Sequence, residues 1–177
     1  MKNRKQLQNE LNDAFDTVIE FVRLQDRADF QKTLREESWS TGQQLLHLIK
    51  SVAPLNKGMK IPKILLKWRF GKTDRPEMSY EELAKTYKAK LDEGAISPAE
   101  YIPRIIQADQ KEMLLARYER EKISLIKTLE SWNEKQLSEQ IAPHPILGML
   151  TIREMMYFTI YHTYHHLASM KKISEGI

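Results

Sequence analysis

Apolar residues recurring at intervals of three and four constrain this chain most. Leu7, Leu11, Ala14, Phe15, Val18, Ile19 and Val22 fall in one stripe of a helix but on both faces of a strand, which predicts a helix from Arg4 to Leu24. Ser40, with Gln43 three residues on, is a capping box that opens a second helix running to Ala53, before Pro54. A third is expected from Arg104 to Trp132, with Leu115, Tyr118, Leu125, Leu129 and Trp132 on one face and Ile105, Ile106, Met113 and Ile123 beside it. Thr151 caps a fourth, "IREMMYFTIYHTYHHLASMKKI", ending in lysines that suit the negative end of the helix dipole. With six glycines and seven prolines in 177 residues, a turn-rich β fold is disfavoured. The expectation is an all-α four-helix bundle forming a single domain over 1–177.

Between the second and third helices, Pro54, Gly58, Pro62, Gly71, Pro76, Gly94 and Pro98 cut the chain into short pieces. "IPKILLKWRF" and "SYEELAKTYKAKLDEG" still read as helices, the first behind a proline and the second between a serine cap and a terminal glycine. An excursion this long can return the chain from one end of a bundle to the other. The segment "SEQIAPHPILGML" reads as a loop.

The chain has no cysteine, which excludes disulfides, iron–sulfur clusters, Cys-based zinc sites and thiol nucleophiles. Any metal must be bound through nitrogen or oxygen. The charged amphipathic start lacks a signal-peptide core, and no stretch approaches the about 20 apolar residues of a membrane span, so a cytoplasmic protein without a membrane partner is expected. The net charge of +4 comes from lysines and arginines interspersed with acids, as in "LARYEREKISLIK", a solvated helix face rather than a nucleic-acid footprint.

Three of the five histidines fall within "YHTYHHLASM". At 100° per residue His162 and His166 sit 40° and one turn apart, both in the inward stripe Ile152, Met155, Met156, Thr159, His162, Thr163, His166, Met170 and Ile173. His165 lies in the neighbouring row with Phe158 and Tyr161, which makes His162 with His166 the better-placed pair. They could share a cation or find ordinary polar neighbours. His47 lies in "TGQQLLHLIKSV", a helix apolar almost all round, although its strongest stripe is centred away from the imidazole, and helical phase alone does not turn His47 toward the fourth helix. A third imidazole would complete a His₃ set with one open position on a tetrahedral ion, the pattern of a catalytic site. His144, between Pro143 and Pro145, reads as structural, with nothing pairing it to the cluster.

Familiar chemistries fall away. "HTYHH" has zincin spacing but carries Thr163 where the catalytic glutamate belongs. No histidine of the second or fourth helix has the Glu-x-x-His context of a di-iron bundle, and no nucleophile elbow, P-loop or dinucleotide fingerprint is present.

"WSTGQQLLHL", with His47 eight residues after Trp39, "HPILGMLTIREMM" and "YHTYHHLASM" together resemble the DinB/YfiT superfamily of small bacterial four-helix proteins. Gln43 stands where many members have glutamate, and Ala168-Ser169-Met170 replaces a common basic-glutamine ending. The resemblance implies an up-down-down-up bundle, often a homodimer, with a divalent metal, usually zinc or nickel, on His47, His162 and His166. It implies a metal-dependent enzyme acting on a small molecule: a thiol S-transferase using a low-molecular-weight thiol such as bacillithiol or mycothiol, or a hydrolase. Tyr161, Tyr164, His165 and Gln43 are the candidate neighbours for proton transfer. The competing expectation is a non-catalytic bundle that binds a partner or small ligand and keeps its histidines for structure.

Overall fold

Asn3 opens α1 (Arg4–Leu24): its side chain accepts the Gln6 N–H while the Gln6 side chain accepts the Asn3 N–H, so two free amides are satisfied together. The computed structural model describes residues 1–35 and 38–176. In it the whole expected stripe of α1 is buried. A short α2 (Arg27–Gln31) follows and buries Phe30.

The Ser40–Gln43 box opens α3 (Thr41–Met59) as expected, but the helix continues past Pro54 instead of stopping at Ala53. Proline removes one backbone donor there. Buried Asn56 and Met59 lie beyond it, and Asn56 donates to the Glu121 carbonyl at 3.0 Å, so packing of the last turn outweighs the lost bond. The excursion then forms α4 (Lys63–Phe70) and α5 (Tyr80–Asp92), the two helices expected from their caps, and ends in a single 3₁₀ turn at Ala99–Tyr101.

The next long helix, α6 (Lys111–Glu130), starts seven residues later than Arg104. Residues 104–110 are extended and then 3₁₀, because Gln107 and Gln110 form their own reciprocal cap and set a new start. Of the four residues expected beside the main stripe only Ile106 is buried; Ile105, Met113 and Ile123 face outward. Ile106 is held away from the helix and packs over Gly42, where a Cβ would lie 2.8 Å from its Cγ2.

The segment read as a loop contains α7 (Glu134–Glu139) and an antiparallel hairpin, β1 (Ile141–His144) with β2 (Gly148–Thr151). Its alternation is short and its turn carries Pro145 rather than a paired glycine signal, which hides it from periodicity. Thr151 then caps α8 (Ile152–Glu175), with Glu154 completing the box, and every residue of the expected inward stripe is buried.

The long helices pack in the ring α1–α6–α3–α8. Arg4 bonds the Glu130 carbonyl at 2.8 Å while Lys111 reaches the Gln25 carbonyl, so α1 runs against α6. Gly42 lies at Ile106 and Asn56 at Glu121, so α3 runs with α6; Gln44 meets His166 and His47 meets His162, so α3 runs against α8. The excursion therefore does carry the chain back along the bundle. No described helix is long and apolar enough to cross a membrane.

Two ionic knots pin the start of α8. Glu154 is fully buried and takes a bidentate contact from Arg75 at 2.7 and 2.8 Å, plus N–H bonds from Met78 and Thr151. Burial pushes its carboxyl up, but the Arg75 hydrogen bonds and two backbone amides outweigh this and leave it lowered. Arg153 joins Glu77 and Glu134 at 3.2 and 2.9 Å.

Candidate metal centre

The three imidazoles singled out in the sequence converge on one point. Nε2 of His162 lies 3.1 Å from Nε2 of His47 and 3.0 Å from Nε2 of His166. All three rings are buried, and their ligand atoms lie within 4.8 Å of one another. The i,i+4 pair comes from α8 by helical geometry alone. His47 arrives across the α3–α8 interface, so its orientation rests on tertiary packing.

Contacts at the other ring nitrogens decide what the cluster can bind. Nδ1 of His47 lies 2.9 Å from the Tyr101 carbonyl, which can only accept, so Nδ1 carries the proton. Nδ1 of His166 faces the side-chain oxygen of Gln44 and is likewise a donor. Both Nε2 atoms therefore turn lone pairs toward His162, whose own Nε2 could donate to only one of them. At least one lone pair remains uncompensated in a buried site, an arrangement suited to a cation.

The rings are also kept neutral. Burial lowers His47 most, with Lys50 adding to the effect and the Tyr101 carbonyl opposing it. Burial, followed by the neighbouring imidazoles, holds His162 and His166 well below the ordinary histidine range. Lone pairs are thus available at neutral pH.

Trp39 stacks on His166 at 6.3 Å between centroids and tilts over His47 at 5.0 Å, so its indole shields two of the rings. On the other side His47 and His162 contribute to the wall of a cavity of about 370 Å³, lined mostly by apolar residues such as Val52, Met59, Phe70 and Phe158. Leu66, Tyr87 and Tyr101 line it as well, so the segment after α3 does cover the cleft.

The remaining candidates separate. His165 is half-buried, 5.2 Å from the His166 ring and 6.1 Å from Tyr161, and is not part of the three-nitrogen cluster. Gln43 is occupied with the Ser40 cap; its neighbour Gln44 is the one that reaches the cluster. Burial raises Tyr161 and Tyr164 above the usual phenol range and pushes Tyr87 up to about 12, so none is a ready base near neutral pH. His144 is structural in the sense expected: Nδ1 accepts the N–H groups of Ile146 and Leu147 at 3.2 and 3.1 Å and fixes the hairpin turn. It is nevertheless not remote from the cluster, because it lines the same cavity and packs on Phe158 at 4.1 Å.

The sequence model described as DinB superfamily matches residues 10–170, a span that contains all three clustered histidines, Gln44 and the hairpin. The chain belongs to the DinB superfamily. No curated protein matches it. As a DinB-superfamily member with a buried histidine triad, it has the features of a divalent-metal binder. Gln44 and the Tyr101 carbonyl, which orient two of the rings, were missed in the sequence. Gln44 could have been found as the polar residue on the α8-facing side of an otherwise apolar turn; the carbonyl has no sequence signal at all.

Proposed function

We propose that this DinB-superfamily chain is a metal-dependent enzyme acting on a small molecule, with His47, His162 and His166 as the metal ligands. The convergence of three Nε2 atoms at 3.0 and 3.1 Å, two with their Nδ1 protons already committed, carries this reading. All three ligand atoms lie within 4.8 Å of one another, so one divalent ion could be shared by them.

Bound to three imidazoles with a coordination position open, a zinc or nickel ion supplies Lewis acidity and a lowered pKa to whatever binds there. The protein's own contributions are distinct. The Tyr101 carbonyl and Gln44 fix ring tautomers, Trp39 shields the cluster, and the apolar wall excludes water around a guest. The same reading includes transfer to a low-molecular-weight thiol or hydrolysis as the reaction, a cytoplasmic setting, and pairing of two chains.

Elemental analysis of tag-free protein tests the ligand set. About one zinc or nickel per chain is expected in the wild type and none in His47→Ala, His162→Ala or His166→Ala. Undiminished metal in any of these variants removes that residue from the site. Thiol conjugation and ester or amide hydrolysis, assayed side by side on the loaded protein, separate the two reactions.

A further inference from the structure

We propose that the cavity beside the cluster takes an uncharged, largely apolar small molecule bearing one hydrogen-bond acceptor, and that Nε2–H of His144 receives that acceptor. This deepens the reading of a small-molecule enzyme and rests on it for its catalytic meaning, but not for binding. Among the described residues lining the cavity there is no lysine, arginine, aspartate or glutamate. Its polar groups are imidazoles and hydroxyls: His47, His162, His144, Ser51, Ser97 and Thr159 among them. Away from the metal site the wall offers an anionic guest no cationic side chain to replace its water shell, whereas an apolar guest gains by burial. The volume of about 370 Å³ fits a small organic molecule.

His144 is the group already set to orient such a guest. Its Nδ1 accepts two backbone N–H groups, so its proton resides on Nε2. That Nε2 has no hydrogen-bond partner among the described residues, and the ring is 9% exposed while lining the cavity. A donor that no protein group occupies, on a ring this enclosed, is free for a guest that supplies an acceptor. The turn holds the ring against rotation, which makes this a positioning group for the substrate.

Displacement of the neutral fluorophore N-phenyl-1-naphthylamine from the full, metal-stripped chain tests the proposal. Ethylbenzene, acetophenone and benzoate are the competitors at pH 8, similar in ring size but apolar, acceptor-bearing and anionic. Acetophenone is expected to bind at least tenfold more tightly than benzoate, and Val52→Trp, which fills the cavity, is expected to abolish fluorophore binding. Benzoate binding as well as acetophenone overturns the neutral class, and an unaffected Val52→Trp overturns the location.

In His144→Phe the affinity of acetophenone relative to ethylbenzene is expected to fall about fivefold, the scale of one neutral hydrogen bond. Because a ratio is read, general loosening of the hairpin cancels. Nitrogen-15 NMR of the wild-type imidazoles gives a second reading: the His144 Nε2 resonance moves with acetophenone and not with ethylbenzene. An unchanged ratio, or equal movement with both, overturns the role of His144. Binding by the metal-stripped protein is read without any ion, so a failure of the metal site and a failure of the cavity are distinguishable.

Discussion

The side-chain oxygen of Gln44 meets Nδ1 of His166 across the α3–α8 interface, one turn from where His47 meets His162. Gln44 thereby fixes which nitrogen of His166 is free. Gln44→Leu, similar in bulk without the acceptor, is expected to weaken metal binding about 10–100-fold, the usual scale for losing a partner of a ligand imidazole. Gln44→Glu should restore it, since a carboxylate accepts the same proton. Competition with a chelator measures both, and a Gln44→Leu affinity equal to wild type would detach Gln44 from the centre.

Metal-stripped protein should lose stability as pH falls below about 6.5. His47, His144, His162 and His166 all have lowered pKa values in the fold, His144 to about 4, and all through burial first. In the unfolded chain each takes a proton near 6.5. Below that pH the unfolded state binds more protons, so stability declines with falling pH until the folded values are reached, and above it these groups contribute no slope. Each histidine contributes about 1.4 kcal/mol per pH unit within its window. Urea midpoints between pH 7.5 and 5 check this; a flat profile would mean that the rings protonate inside the fold.

Gly42→Ala is expected to destabilise the protein by about 1–3 kcal/mol, although alanine is the better helix former. The added methyl would sit 2.8 Å from Ile106 Cγ2 and 2.9 Å from Phe30 Cε1, both buried side chains rather than flexible ends. Urea unfolding reads the difference. A neutral or stabilising result would show that α2 and the 104–110 segment yield without cost.

Arg75→Ala leaves Glu154 buried with only two backbone donors. A loss of about 2–3 kcal/mol is expected at pH 7, below the about 3–5 of a fully buried pair because Arg75 is partly solvated. The folded carboxyl is lowered, so its contribution is present above about pH 4.3 and disappears as pH falls through the folded value. Wild type and variant should therefore converge as pH falls below about 4.3 in denaturant titrations; a constant gap would assign the loss to packing.

Local patterns made much of this protein legible. The burial of His162 and His166 and the extent of α1 follow from a repeat of 3.6, and the starts of α3, α5 and α8 follow from their capping residues. His47 was legible as an anomaly but not as a direction, because its helix is buried on several sides and only contact with Tyr101 and His162 orients the ring. Misreadings came where long-range packing overrides a local rule. Pro54 sits inside α3 because the turn beyond it is buried, and Ile105 and Ile106 continue the apolar rhythm of α6 without belonging to it. His144 looked isolated because a hairpin, invisible to short-range periodicity, folds it onto Phe158.

The turn at Ala99–Tyr101 links two tasks within three residues. The Tyr101 carbonyl steers the His47 ring, and the next carbonyl, that of Ile102, takes a 2.7 Å bond from Lys50 one turn along α3. Tyr101 and Pro98 also form part of the cavity wall. An oversized guest that levers this stretch outward would twist a nitrogen of the triad at the same time, so how large a molecule the protein admits and how firmly it grips an ion are set by a common hinge.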